Sequence, residues 1–209
     1  MENVNLVIGK LEGEIKSLFS LDSSGHDLYH LKRVLDLSLN IQKREGGDKL
    51  VIAAAAFLHD VHRIMQNETG EYCHPKDSLP KIKEILKTIN IAPDVEEKVL
   101  HCVEFHEEYG FSEKGRTVKD IETLILQDAD NLDAMGAIGI ARAFSFGGSK
   151  GRPIYLPEIP INTKLYNDIV LGESDIHHFY SKLLRLENNM NTKTAKKRRE
   201  RDINLWNYF

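Results

Sequence analysis

His59-Asp60 closes the apolar run Val51–Leu58, VIAAAAFL. An imidazole and a carboxylate at the end of so apolar a segment are costly to bury without a partner, since each gives up its water. A bound cation satisfies both together, taking one neutral ring nitrogen and one anionic oxygen. His30 lies upstream in HDLYHLKRV and Asp130 far downstream in LILQDADNLD. With the doublet they form a candidate set of two nitrogen and two oxygen ligands from three segments. A ligand histidine works best when a second hydrogen bond orients its other nitrogen. His26, near His30, is one candidate for such support, and Asp128 and Asp133 flank Asp130 for the same purpose. The run QDADNLD also packs three carboxylates into six residues, an excess that a cation or arginines such as Arg142 would offset. Taken singly, each residue has an ordinary use: a hydrogen-bonded core histidine, or a helix end, a turn and an N-cap for the three aspartates.

Mixed nitrogen and oxygen ligation accommodates one divalent ion: manganese, magnesium, iron, nickel or zinc. An ion with open positions lowers the pKa of water and polarises a phosphoryl oxygen. Phosphoryl transfer then needs positive groups for the phosphates and a proton donor for the leaving oxygen. Lys150 and Arg152 sit in GGSKGRP, where glycines let backbone N–H groups approach an anion. Arg33 follows His30 by three positions and Arg63 follows His59 by four, so both are phosphate candidates. The alternatives are a solvated loop for the first pair and an ion pair, such as Arg33 with Asp36, for the second. With Asp60 as the catalytic carboxylate, the candidate proton donors are His62, His101 and His106. His101 and His106 stand about 140° apart on a helix and cannot easily both face inward. His106, near the helix end, is preferred, and His62 could reach the cleft rim. His177-His178 are read as packing and surface.

Helices must position these groups. Apolar residues recur at helical spacing along nearly the whole chain. Leu6 to Phe19 outline a first helix, and Leu28 to Leu39 a second that Gly46-Gly47 stops. Residues 49–66 read as one alanine-rich helix able to pack closely on its neighbours. Leu79–Ile89 and Val95–Phe105 follow, with Pro80 and Pro93 near their starts. Ile121–Gln127 leads into the acidic run as a turn, and Asp133 caps a helix through Phe144. Gly136 and Gly139 within that helix suggest the close approach of another backbone. Residues 147–163 hold three prolines and read as a loop, followed by helices over about 164–171 and 174–190 and a basic tail helix. The expectation is an all-α, single-domain helical bundle over 1–209. Its metal-binding core covers about 25–135, its substrate loop about 147–163 and its C-terminal helices about 164–209.

The 209 residues carry a net charge of -4, which leaves no electrostatic footprint for nucleic acid. Cys73 and Cys102 make no disulfide framework, the first residues lack a basic, apolar leader, and no segment is apolar enough for a membrane span. A cytoplasmic protein without membrane association is expected. The tail TKTAKKRRERDINLWNYF joins basic residues to Trp206, Tyr208 and Phe209. A nucleic-acid platform is one reading of it. A solvated helix whose aromatics pack on the core or on another subunit of a homo-oligomer is preferred.

His30 in HLKRV, the His59-Asp60 doublet and Asp130 in DADNLDAMG together resemble the HD-domain superfamily of metal-dependent phosphohydrolases. The segments DADNLDAMGAIGIARAFSFGGSKGRPIY and HFYSKLLRLENNMNT are similar to its small single-domain bacterial branch associated with nucleotide pyrophosphohydrolase activity. The resemblance implies a helical domain of the HD type with one divalent metal on His30, His59, Asp60 and Asp130. It implies hydrolysis of a phosphoester or phosphoanhydride in a small nucleotide through a metal-activated water. An HD-type di-iron oxygenase using extra histidines, and a non-catalytic nucleotide-binding regulatory module, are the alternatives. Relatives of this branch often carry an acid and then a lysine after the doublet, where this chain has His62-Arg63-Ile64-Met65. They often have a histidine followed by serine and phenylalanine where it reads His106-Glu107-Glu108-Tyr109.

Overall fold

The computed structural model describes residues 4–20, 22–112, 115–161 and 174–202, with side chains through residue 200. Helices account for its regular structure, and no strand occurs among these residues. The first is α1 (Val4–Phe19), followed by α2 (Leu28–Glu45), α3 (Lys49–Leu58) and α4 (Val61–Thr69). Then come α5 (Leu79–Thr88), α6 (Pro93–Phe105), α7 (Ile121–Asp133) and α8 (Gly136–Ser149). Beyond the described residues up to 161 lie α9 (Asp175–Ser181), a 3-10 stretch over Leu183–Asn189 and α10 (Lys193–Asp202).

The architecture follows from α3. Every residue from Val51 to Leu58 is buried, and a helix apolar on all faces must sit inside others. Helices α1, α2, α6 and α7 pack around it, and four consecutive alanines let them come close. Asp48 starts α3 by accepting the Leu50 and Val51 N–H groups. Asp27 and Asp120 cap α2 and α7 in the same way. Gly46 and Gly47, with φ of 86° and 89°, end α2 in a conformation that disfavours other residues.

Several boundaries differ from the sequence reading. Residues 49–66 form two helices rather than one, and they part at the doublet. His59 still has helical angles, whereas Asp60 sits at φ -94° and ψ 12° and makes no side-chain cap bond. The acidic run is no turn but the last part of α7. Asp133 therefore does not cap α8, which starts at Gly136 behind Met135 and runs on to Ser149 rather than Phe144. The 174–190 segment divides into α9 and the 3-10 stretch. The expected helix at 164–171 and the aromatics Trp206, Tyr208 and Phe209 lie outside the described residues.

The close approach expected at the α8 glycines is found at Gly139. A Cβ there would lie 2.1 Å from the Ala134 carbonyl oxygen and 2.3 Å from its carbon. Since the obstacle is backbone, Gly139→Ala is expected to destabilise the protein by about 3 kcal/mol, the upper range of overpacking. Urea unfolding measures this, and an unchanged midpoint would contradict the packing. No helix among the described residues is long and apolar enough to cross a membrane.

Candidate metal centre

The break between α3 and α4 brings His59 and Asp60 to the inner surface of the bundle, facing α2 and α7. Asp60 Oδ2 lies 3.1 Å from His30 Nε2 and 3.4 Å from His59 Nε2. Asp130 Oδ1 stands 3.6 and 3.9 Å from the same two nitrogens. Three helix segments thus bring together the four side chains singled out in the sequence. His30 and His59 are fully buried and Asp60 nearly so, while Asp130, one-fifth exposed, opens the group toward solvent.

The ring tautomers follow from the backbone. His59 Nδ1 lies 2.9 Å from the Ala56 carbonyl oxygen. A carbonyl only accepts, so Nδ1 carries the proton and Nε2 presents a lone pair to the site. Burial lowers the His59 pKa and outweighs the pull of Asp60 and Asp130, which keeps the ring neutral. His30 differs. Burial and Arg142 would lower its pKa, but Asp133 at 2.8 Å from Nδ1, with Asp60 on the other side, turns the balance upward. Asp60 is held well below the usual carboxylate range: burial opposes its charge, and the surrounding His59, His26 and His30 overcome that. Even so, Asp60 Oδ2 is buried with no hydrogen-bond donor. An anionic oxygen facing two neutral-capable imidazole nitrogens is a donor set suited to a divalent cation. These residues fit the ion that the resemblance implies.

The aspartates of α7 divide by helical geometry. Asp130 and Asp133 are three apart and share a face, whereas Asp128 is about 200° from Asp130 at 3.6 residues per turn. Asp128 accordingly turns away, and its oxygens accept the Asn191 and Thr192 N–H groups at 2.7 Å. It anchors the start of α10 and gives Asp130 no support. Asp133 takes the orienting part: it accepts from His30 Nδ1, from Arg33 Nε at 2.7 Å and from Arg142 Nη1 at 2.9 Å. His26 precedes α2 and bonds Ser24 rather than His30, whose ring it meets edge to face at 5.8 Å.

The expected substrate residues are spread around this centre. Arg33 is committed to Asp133, and Asp36 is not its partner. Arg63 is bound to Glu107 and lies 3.9 Å from Asp60 Oδ1. Lys150 is exposed and donates to Asn67. Arg152 is buried against Phe146 and donates through Nε to Asp175 at 2.7 Å. Its Nη1 and Nη2 are buried without hydrogen-bond partners. Burial, then Lys182, Arg152 and Arg63, hold His178 well below its ordinary pKa. These cations therefore surround one region. His101 is exposed on Asp120, while His106 is buried, as their angular separation requires.

His62 does not suit the proton-donor role expected of it. Its Nδ1 donates to the His59 carbonyl, and burial, followed by Arg63, pushes its pKa down to about 3. The neutral ring offers an acceptor at Nε2. Glu107 is the residue that sequence reasoning missed. Burial would raise its pKa, but Arg63 and His62 pull it far below the carboxylate range. In EFHEEYG only its position after His106 could have pointed to it.

Residues 27–135, which hold all four converging side chains, match the HD domain family. The chain belongs to the HD-domain family. Among similar proteins is YpgQ of Bacillus subtilis, 33% identical over 198 residues that span 93% of this chain and 86% of YpgQ. The crystal structure of B. subtilis YpgQ in complex with ADP superposes with a TM-score of 0.71 at 31% identity, covering 95% of this chain and 91% of that one. An HD-superfamily hydrolase from Bacillus thuringiensis superposes with a TM-score of 0.69 at 32% identity, covering 99% and 94%. This HD-domain protein therefore has an HD-superfamily hydrolase fold, with a His/Asp group that could hold a metal at its centre.

Proposed function

We propose that this protein is a metal-dependent phosphohydrolase that cleaves a small nucleotide, with the divalent ion seated by His30, His59, Asp60 and Asp130. The observation that carries the reading is their convergence around the buried, unpartnered Asp60 Oδ2. When bound, the ion would supply an acidified water and neutralise phosphate charge. Asp130, the most exposed of the four, borders the side from which substrate enters. Arg152 offers two unpartnered N–H groups to phosphate oxygens in the geometry that suits a planar guanidinium. The ADP bound to the related YpgQ supports a nucleotide as the ligand. A phosphoanhydride fits better than an alkyl phosphoester: its leaving phosphate is a weak base and departs without a proton, which His62 is not poised to give.

The reading is tested by incubating metal-reconstituted protein with a nucleotide panel and following phosphate and pyrophosphate release. Hydrolysis that a chelator abolishes and added metal restores is expected. No turnover of any nucleotide would overturn it, and oxygen consumption by iron-loaded protein would point to the oxygenase chemistry instead. Arg152→Ala is expected to raise KM by about tenfold or more, with a smaller change in kcat, as loss of charged hydrogen bonds to bound phosphate requires. Equal KM values for the two proteins would remove Arg152 from the substrate site.

A further inference from the structure

The net charge of -4 conceals one face of the opposite sign. Lys193, Lys196, Lys197 and Arg198 are exposed along α10, and Lys43 and Arg44 are exposed at the end of α2, the helix against which α10 packs. Elsewhere surface lysines find acids, as Lys32 does in Glu12 and Lys83 in Glu96. None of these six cations makes an ion pair among the described residues. Two acids share the region. Glu45 is spent on the start of α10, where it accepts the Thr194 N–H at 2.7 Å and the Thr194 hydroxyl. Glu200 stands one turn after Lys196 and does not pair with it. Arg199, half-buried, donates to the Glu187 carbonyl.

These charges do nothing for the helix that bears them. Lys193 and Lys196 occupy its first turn, where the macrodipole disfavours cations. Lys193 repels Lys197 at i, i+4 and Lys196 at i, i+3. What holds α10 is Asp128, which accepts from Asn191 and Thr192, together with the Glu45 cap and the fully buried Ala195. An unpaired cationic face that works against its own helix suits a polyanion outside the molecule. We infer that this face of α10, with the end of α2, binds the phosphate backbone of a DNA duplex without regard to sequence. The chemistry of the face decides the class of partner. A stable protein interface is centred on apolar or aromatic anchors, and the exposed face has none among the described residues of α10. A helix seated on a membrane inserts an apolar side, and here Ala195 is buried inside the domain. Single strands are gripped by aromatic stacking and RNA duplexes through their 2′-hydroxyls, whereas the phosphates of DNA need only cations. The surface is remote from the metal centre: Arg44 follows His30 along α2 by about 21 Å at 1.5 Å per residue. It is therefore no part of the substrate site, and its role departs from the solvated helix preferred from sequence.

This inference does not rest on the phosphohydrolase reading. The full chain would be titrated into fluorescently labelled DNA duplexes of about 20 base pairs and unrelated sequence, with anisotropy followed from about 50 to about 200 mM salt. Wild type is expected to bind the duplexes equally, with log affinity falling against log salt at a slope of about -4 to -5. Lys193→Glu/Lys197→Glu is expected to weaken binding by about tenfold or more at the lowest salt and to flatten the slope by about two. Helical circular dichroism and nucleotide hydrolysis should not change, since both side chains are exposed and far from the centre. Lys43→Ser/Arg44→Ser, on the other helix, should act in the same direction, so the outcome does not hang on α10 tolerating the reversal. No anisotropy change at the lowest salt, or equal affinity for wild type and both variants, would overturn the inference. Tighter binding at the same salt to an RNA duplex, to polyglutamate or to phosphatidylserine vesicles would overturn it in favour of that partner. Duplex binding by a protein that hydrolyses no nucleotide would leave this surface standing and sink the reaction, and hydrolysis without duplex binding would do the reverse.

Discussion

Asp60→Asn is expected to lower nucleotide hydrolysis by about three orders of magnitude, through lost metal affinity and lost charge at the reacting centre. The side chain keeps its volume, but the anionic oxygen that faces His30 Nε2 at 3.1 Å and His59 Nε2 at 3.4 Å becomes an amide atom. The fold should lose a little as well. In metal-free protein burial opposes the Asp60 charge, but His59, His26 and His30 overcome that and hold its pKa well below the usual carboxylate range, so the charge favours the folded state at neutral pH. Metal-free Asp60→Asn should therefore melt below metal-free wild type at pH 7. Wild type alone should gain stability on adding metal, by mass action on the folded state. Melting curves with and without Mn(II), together with initial rates, check both halves. A rate within tenfold of wild type would remove Asp60 from the site's chemistry, and a metal-free melting temperature equal to that of wild type would mean that the surrounding imidazoles do not favour its charge.

What the sequence disclosed and what it hid have separate physical causes. Helical periodicity and the Gly46-Gly47 stop reflect local preferences, so the helices were legible to within a few residues. The His59-Asp60 break was not, because neither residue breaks helices by itself and no glycine or proline stands nearby. The division there turns the doublet inward from the end of α3, toward His30 and Asp130. The acidic run was misread for a related reason. Three carboxylates in six residues look incompatible with a helix when their charges are counted on one line, but α7 spreads them over different faces. Backbone N–H groups take Asp128, two arginines take Asp133, and Asp130 remains for the centre. Neither the Arg63–Glu107 pair nor the cations gathered around His178 have a sequence signal, since both depend on which surfaces α4, α6 and α9 turn toward one another.

Asp133→Asn is expected to cost about 3–5 kcal/mol of stability at neutral pH and to weaken metal binding by about 10–100-fold. The two effects have one origin. Asp133 holds Arg142, Arg33 and His30 Nδ1 at once through both its oxygens, and an amide keeps only one accepting oxygen and brings no charge. Arg33 is about one-third exposed and screened by solvent, so most of the loss falls on buried Arg142 and His30. His30 would lose the acceptor that fixes its ring, and with it the aim of Nε2 at the centre. The pH dependence has a definite sign. Burial would raise the Asp133 pKa, but His30 and Arg33 hold it far below the unfolded value. The unfolded chain therefore binds the extra proton first as pH falls. The stabilisation is complete above the unfolded carboxylate range, near pH 4, and is lost progressively below it. Asp133→Asn should thus unfold at lower urea than wild type at pH 7, with the gap narrowing as pH drops into the acid range. A gap that is constant with pH would mean that the carboxylate's charge does not hold the arginines. Unchanged Mn(II) affinity would mean that His30 is aimed by packing alone.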